Sequence, residues 1–409
     1  MNYGLAANRA QMFQQLLQVL FVGLMLGLFR NVVPALAEQE FGIPRGSFLL
    51  LVAFVVAFGL VKAVLNFAAG RLAEHWGRRP VLLAGWWLAL PIPLMIYLAP
   101  NWYWIVCATL LLGMQQGLSW SMTQTAKLDL SLASERGFVI GLNEFSGYVG
   151  VAVAAILTGY SATLWDARQS LLVFGLAVIG SALLLGHFGV RETQAWALQK
   201  TGSCGDHGEI PSTAEVFARM SWRDRRMAAL CQAGLVEKFV DALVWVFWPL
   251  WLHQRGLSLA AIGWVVGSYG LTWGVMQLFT ARLSDRFGRH RFNVGGMWLC
   301  GLGVALLPLG EGTAWWATAA AVTGLGMAML YPNLSAAVAD FAPASWRASA
   351  IGIYRFWRDL GYAVGGLGLG LVAAWGGQMQ YAFWFVALAM LFSGLVLALW
   401  GEESLSTRP

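Results

Sequence analysis

Displaced by 211 positions, the chain begins to match itself. Residues 70–79 read GRLAEHWGRR and residues 281–290 read ARLSDRFGRH. The same offset carries Arg30 onto Asp241, Gly113 onto Gly324, Asp129 onto Asp340, Arg136 onto Arg347, Ile140-Gly141 onto Ile351-Gly352 and Glu144 onto Arg355. Similarity at half the chain length marks a duplication, so the two halves are expected to share one architecture.

What is duplicated is apolar. Of 409 residues, 58% are hydrophobic and only 11% charged, a balance that water-soluble domains of this length do not show. Twelve stretches are long enough to cross about 30 Å of hydrocarbon as helices. They fall near 12–36, 47–69, 80–99, 102–126, 137–160, 169–190, 228–252, 260–280, 292–309, 313–338, 348–374 and 379–400, six in each half. The expected fold class is an all-α membrane protein of twelve transmembrane helices in two pseudo-symmetric six-helix bundles. Residues 1–190 and 228–409 form the bundles and 191–227 the linker.

The first span is too long for a removable signal peptide and lacks a small-residue cleavage site, so it is expected to persist as a helix. Lys and Arg set the orientation. One set of loops and ends carries eighteen of them, from Arg9 through Arg78, Arg79, Arg136 and Arg225 to Arg408; the other carries only Arg45, Arg168 and Arg255. Positive loops stay inside, so both termini are expected in the cytoplasm; the expected location is a bacterial inner membrane. The formal charge of +6 then reflects topology rather than nucleic-acid binding. Cys107, Cys204, Cys231 and Cys300 show no paired spacing. Cys204, Asp206 and His207 read as loop polarity, and no metal or cofactor is expected. Within the linker, Ser212 to Glu215 has capping-box spacing. Phe217, Met220 and Trp222, followed by Arg223, Arg225 and Arg226, suit a short helix lying on the inner membrane surface.

Nine ionisable residues sit inside the spans: Arg30, Lys62, Glu144, Glu237, Lys238, Asp241, Arg355, Arg358 and Asp359. Each costs about 2.5–3.5 kcal/mol at a helix centre on insertion scales, so their retention calls for a polar cavity, mutual pairing, or both. Glu237 and Asp241 share a helix face, as do Arg355 and Asp359, with Arg355, Arg358 and Tyr362 continuing the same stripe; Lys62 pairs in spacing with Asn66. Five cations against four acids favours an anion or a mobile proton. The swapped signs of the repeat-mates Arg30/Asp241 and Glu144/Arg355 predict one ion pair of opposite polarity in each half. Arg358 and Asp359 can satisfy each other or Lys62.

Gly70-x-Leu72-x-Glu74-x-x-Gly77-Arg78-Arg79 and Leu283-x-Asp285-x-x-Gly288-Arg289-His290-Arg291 resemble the signature loop of the major facilitator superfamily, a family of duplicated transporters. With the repeat, the helix count and the linker position, the resemblance covers essentially the whole chain. It implies that these loops brace the cytoplasmic side, their acids and arginines pairing with neighbouring helix ends. The matching residues are Asp129-x6-Arg136 and Asp340-x6-Arg347. The expected cytoplasmic gate is therefore Gly70, Glu74, Gly77, Arg78, Arg79, Asp129, Arg136, Asp285, Gly288, Arg289, Asp340 and Arg347.

The resemblance further implies that the first, fourth, seventh and tenth helices line a central cavity. The expected solute contacts are Arg30, Asn31, Gln115, Trp120, Lys238, Asp241, Tyr331, Asn333 and Arg355, with Trp120 and Tyr331 as aromatic repeat-mates. Lys62, Glu144, Glu237, Arg358 and Asp359 serve as interior ion pairs or proton-coupling groups; the acids able to carry a proton are Glu144, Glu237, Asp241 and Asp359. Proton-coupled drug exporters of the family have a fourth-helix arginine and a fifth-helix Gly-Pro pair. Here Thr109 stands at the first place, and Gly141, Gly147 and Gly150 occur without proline at the second.

These features predict a secondary transporter, not an enzyme, that moves a small anionic solute by alternating access with proton coupling. No phosphate-binding loop of the Walker type is present to use ATP. Export of drug-like or cationic compounds is the alternative. A membrane-embedded sensor or enzyme is the alternative from another class, and the five histidines, all in loops or at helix ends, give it no clustered base. The expected partners are the lipid bilayer, the solute and protons, with the monomer as the working form.

Overall fold

The computed structural model describes residues 2–41, 48–161, 166–203, 211–257, 259–343 and 345–405, excepting the side chains of 30–39, 48–55, 155–156, 158–161, 167, 200–203, 246 and 259–260. Among these residues the regular structure is helical throughout. The first half contains α1 (Arg9–Gln39), α2 (Phe48–His75), α3 (Arg78–Ala89), α4 (Pro91–Tyr97), α5 (Trp102–Leu130), α6 (Arg136–Ser161) and α7 (Ala167–Phe188). The linker region holds α8 (Gln194–Ser203) and α9 (Thr213–Ala218). The second half contains α10 (Arg225–Ala242), α11 (Trp248–Gln254), α12 (Leu259–Phe287), α13 (Arg289–Leu306), α14 (Thr313–Phe341), α15 (Arg347–Gly376) and α16 (Gln380–Trp400). Joining α3 to α4 and α10 to α11 gives six long passes per half.

Proline explains both interruptions. Leu90 ends α3 where Pro91 begins α4, because Pro91 offers no N–H to the preceding turn. Between α10 and α11 the backbone widens into a π-helical turn, Leu243–Phe247, just ahead of Pro249, where an ordinary turn would set a carbonyl against the proline ring. Some helix starts carry side-chain caps. Asn101 Oδ1 accepts from Tyr103 N at 3.1 Å, and Asp166 Oδ1 accepts from Gln169 N at 2.7 Å. The capping-box reading at Ser212 corresponds to a 3.3 Å bond from Glu215 N to Ser212 Oγ. Helix α8 was not expected from the polar linker sequence.

Among the described residues, eight helical stretches are long and apolar enough to cross a membrane, including Arg9–Phe29, Arg78–Tyr97, Arg168–Phe188 and Gln380–Trp400. Large apolar side chains lie exposed on these and neighbouring helices, Phe188, Trp375 and Leu399 among them, as a lipid-facing surface requires. Helices α5, α10, α12 and α15 fall outside that apolar set. They carry many of the buried polar residues, among them Gln115, Gln116 and Lys127; Glu237, Lys238 and Asp241; Gln277 and Ser284; Arg355, Arg358 and Asp359.

The chain divides into two compact units. The first holds residues 1–132, 142–210 and 344–352; the second holds 133–141, 211–343 and 353–409. In the first, Val19, Val22, Met25, Trp86, Leu112 and Ile179 pack one continuous core. Close backbone approach repeats in both: a Cβ on Gly150 would overlap the Leu20 carbonyl of α1, and one on its repeat-mate Gly361 would overlap the Leu235 carbonyl of α10.

Candidate functional site

In the second unit Asp241 gathers three donors. Lys238, one turn earlier on α10, places Nζ 2.6 Å from Asp241 Oδ2. Tyr269 of α12 donates its hydroxyl to Oδ1 at 3.0 Å and Tyr362 of α15 donates to Oδ2 at 3.1 Å. All four side chains are buried. The ammonium also lies 4.3 Å from the Tyr331 ring centroid, and the Arg358 guanidinium lies 4.6 Å from that same ring. Arg358 Nε reaches Asp359 Oδ1 at 3.4 Å. Glu237, fully buried, has one oxygen 3.7 Å from Lys238, and among the described residues neither of its oxygens accepts a hydrogen bond.

This corrects the predicted pairing in the second half. The cation on Asp241 is Lys238, not Arg355. Two residues three apart on one helix face reach each other without any alignment between helices, so spacing on α10 alone suffices for this pair. Arg355 is fully buried on α15. Asn333 bonds locally as well: its amide donates to the Met329 carbonyl at 2.6 Å while its oxygen accepts from Ser284 Oγ of α12.

In the first unit the buried interior acid Glu144, repeat-mate of Arg355, is held by neutral donors. Its Oε1 accepts from Trp120 Nε1 and from Asn143 Nδ2, both at 3.0 Å. Lys62 Nζ stands 5.6 Å from the Trp120 ring, so each aromatic repeat-mate, Trp120 and Tyr331, has a lysine beside it. Gln115 Oε1 accepts from Gln116 Nε2 at 2.8 Å, and Asn66 Oδ1 accepts from Ser121 Oγ at 2.6 Å. The side chains of Arg30 and Asn31 lie outside the described residues, and with them the predicted pairing of Arg30 with Glu144.

The signature loops are bonded in parallel fashion. Arg78 Nε meets Asp129 Oδ2 at 2.8 Å, and its repeat-mate Arg289 meets Asp340 Oδ2 at 2.6 Å. Arg289 also pairs with Asp285 at 2.6 Å and donates to the Ala133 carbonyl. Glu74 Oε1 accepts the Ser349 N–H at the start of α15, and Asp285 accepts those of Gly137 and Phe138 at the start of α6. A carboxylate facing a helix N-terminus is favoured by the free N–H groups and the helix dipole. Arg136 Nη1 reaches Asp340 Oδ1 at 2.7 Å, while Arg347 is buried at the first position of α15. Arg79 donates to the carbonyls of Gly186 and His187. At Gly70 a Cβ would press on the Ala348 carbonyl.

Two acids escaped the sequence reading. Glu192 accepts the backbone N–H groups of Arg78 and Arg79, both at 2.9 Å, and so caps α3. Glu403 accepts those of Arg289 and His290, at 2.9 and 3.1 Å, and caps α13. The next residues, Thr193 and Ser404, donate hydroxyls to Asp129 and Asp340. Glu192 and Glu403 are 211 apart, as are Thr193 and Ser404, so the repeat offset could have found them. Gly77 and Gly288 sit at φ 93° and 101°, a conformation only glycine adopts readily, and a Cβ on either would collide with the capping carboxylate. Tyr269 also went unnoticed, because its repeat-mate Phe58 has no hydroxyl.

Known proteins are similar to this chain over most of its length. The family model for the Major Facilitator Superfamily matches residues 16–237 and again residues 230–409. An uncharacterised MFS-type transporter of Salmonella typhimurium is 24% identical over 390 residues, 91% of this chain and 92% of its own. The multi-drug resistance efflux pump PmrA of Streptococcus pneumoniae is 25% identical over 341 residues, 80% of this chain and 79% of its own. The crystal structure of the human organic anion transporter MFSD10 superposes with a TM-score of 0.79 over 95% of this chain and 99% of that one; at 18% identity the likeness is one of fold. The chain belongs to the Major Facilitator Superfamily and is an integral membrane transporter with the superfamily's twelve helices in two six-helix bundles.

Proposed function

We propose that the protein is a secondary transporter carrying a small anionic solute across a bacterial cytoplasmic membrane by alternating access, with protons as the coupling ion. In this reading both termini are cytoplasmic, the monomer is the working form, and residues 1–190 and 228–409 are the two moving halves joined by 191–227. The signature-loop contacts of Glu74, Arg78, Asp129, Arg136, Asp285, Arg289 and Asp340 act as the exchangeable cytoplasmic gate.

The choice of an anion rests on one observation: the interior acids other than Glu237 already have donors. Asp241 holds Lys238 and two tyrosine hydroxyls, Glu144 holds Trp120 and Asn143, and Asp359 holds Arg358. A cationic solute would have to displace those donors, whereas a carboxylate or phosphate oxyanion suits the planar fork of a guanidinium such as Arg355. Glu237, whose oxygens accept no hydrogen bond among the described residues, is the proposed proton carrier. Export of drug-like or cationic compounds is the second reading, favoured by the likeness to a multi-drug efflux pump and opposed by Thr109.

The test is flux in proteoliposomes against a panel of organic anions and cations, with and without an imposed pH gradient. Uptake or release of anions that responds to the gradient, and that loses the response in Glu237→Gln, is the expected result. Movement of cations alone would replace the first reading with the second.

A further inference from the structure

The linker segment between Ser212 and Arg226 has two faces. Val216 and Met220 are fully buried, and Phe217 packs against Trp222, Phe356 and Trp357, with ring centroids 5.7, 5.8 and 6.0 Å apart. Ser221 Oγ accepts from Trp357 Nε1 at 2.9 Å. This face is therefore fastened to α15 at Phe356–Trp357, the two residues that lie between Arg355 and Arg358.

The opposite face is basic and aromatic. Trp222 is 62% exposed. Arg219, Arg223 and Arg225 are exposed around it. Four arginines, with Arg226, stand against only Glu215 and Asp224 in this segment. Glu215 is engaged by Arg219 and Asp224 by Arg226, so among the described residues Arg223 and Arg225 meet no carboxylate. An exposed indole flanked by uncompensated guanidinium groups matches a bilayer surface, where the ring sits at headgroup level and arginines meet lipid phosphates.

We propose that this face, from Arg219 to Arg225, is a docking surface for the headgroups of anionic phospholipids. Lipid charge held there orders the linker, and the Phe217 and Ser221 contacts pass that ordering to the α15 turn that carries Arg355 and Arg358. The transporter thereby senses the charge of the membrane in which it sits.

The experiment is hydrogen exchange of the full chain in nanodiscs, comparing pure phosphatidylcholine with phosphatidylcholine containing phosphatidylglycerol. Amides in 213–223 are expected to exchange about tenfold more slowly with phosphatidylglycerol, given the attraction each surface arginine feels toward an anionic leaflet. The difference should vanish in about 1 M salt, where the screening length falls to about 3 Å. The triple variant Arg219→Gln/Arg223→Gln/Arg225→Gln should lose the difference, while the corresponding Arg→Lys triple keeps it. Soluble glycerol phosphate added to phosphatidylcholine nanodiscs should not reproduce it. Equal exchange in both lipids, an unchanged difference in the Gln triple, or full protection by soluble glycerol phosphate would each overturn the proposal. Because the readout needs no solute, its failure is separate from any failure of the transport reading.

Discussion

Glu192 and Glu403, 211 positions apart in sequence, do the same work: each carboxylate accepts the two backbone N–H groups that open the helix following a signature loop. Free N–H groups at a helix start are orphan donors, and a fixed carboxylate satisfies two of them while answering the helix dipole. The glycine before each helix leaves the space that carboxylate fills. Duplication has preserved the acid, the glycine and the hydroxyl after the acid together.

Replacing either glutamate by alanine should lower stability by about 1–2 kcal/mol, the usual range for a lost helix cap. Gly77→Ala or Gly288→Ala should cost about as much, through a left-handed backbone and the collision with the carboxylate. Thermal melting of purified protein would decide this. Melting temperatures unchanged in Glu192→Ala and Glu403→Ala would mean the caps are ornamental.

Lysine cannot substitute equally for the two signature arginines. Arg289 joins Asp285, Asp340 and the Ala133 carbonyl through separate nitrogens, whereas Arg78 joins one carboxylate and the Ala73 carbonyl. Arg289→Lys should therefore destabilise more than Arg78→Lys, by about 1–2 kcal/mol for the extra charged bond. Denaturation of the two variants side by side is the check, and equal losses would refute the asymmetry.

Removing one member of the Lys238–Asp241 pair strands the other in the interior, at a cost of about 3–5 kcal/mol. Lys238→Met/Asp241→Leu should melt closer to the wild type than either single variant. A double-mutant cycle measures this directly, and simple additivity would exclude a coupled pair.

Asp224 caps α10 through the N–H groups of Arg226 and Met227 and pairs with the Arg226 side chain at 3.0 Å. Burial alone would raise its pKa, but the hydrogen bonds and charge of Arg226, with the two backbone N–H groups, outweigh it and hold the carboxyl below its ordinary value. A depressed folded-state pKa contributes stability that is complete above the unfolded value of about 3.9 and is lost as pH falls through the folded one. Asp224→Asn should flatten that acid limb while leaving the stability near pH 7 within about 1 kcal/mol of wild type, since Asn also caps. Melting curves from pH 7 down to pH 3 test it; identical acid limbs would show that another group is responsible.

The fold was legible because two independent patterns agreed: hydrophobic length fixed the passes and the 211-residue offset fixed their pairing in halves. The bonded signature loops were legible for a related reason, since their acids and arginines recur in order. The interior was harder. Four helices carry so many polar residues that length alone identifies them poorly, and nothing in the sequence told Lys238 from Arg355 as the partner of Asp241. That choice depends on side-chain reach over three residues of one helix, which spacing allows but does not compel. Tyr269 was hidden because only one half of the duplication has its hydroxyl, and Glu192 because a capping acid beyond a helix end resembles ordinary loop polarity.

The Lys238–Asp241 pair has one more implication. Both charges ride on the same helix, so any displacement of α10 takes the counterion with it. Sliding past its neighbours, that helix gives up the two phenolic hydrogen bonds to Asp241 and the contact of Lys238 with the Tyr331 ring, while the Lys238–Asp241 pair itself carries no net charge. A site that ferries its own neutrality can shift within hydrocarbon-like surroundings at far smaller electrostatic penalty than one whose ions belong to different helices.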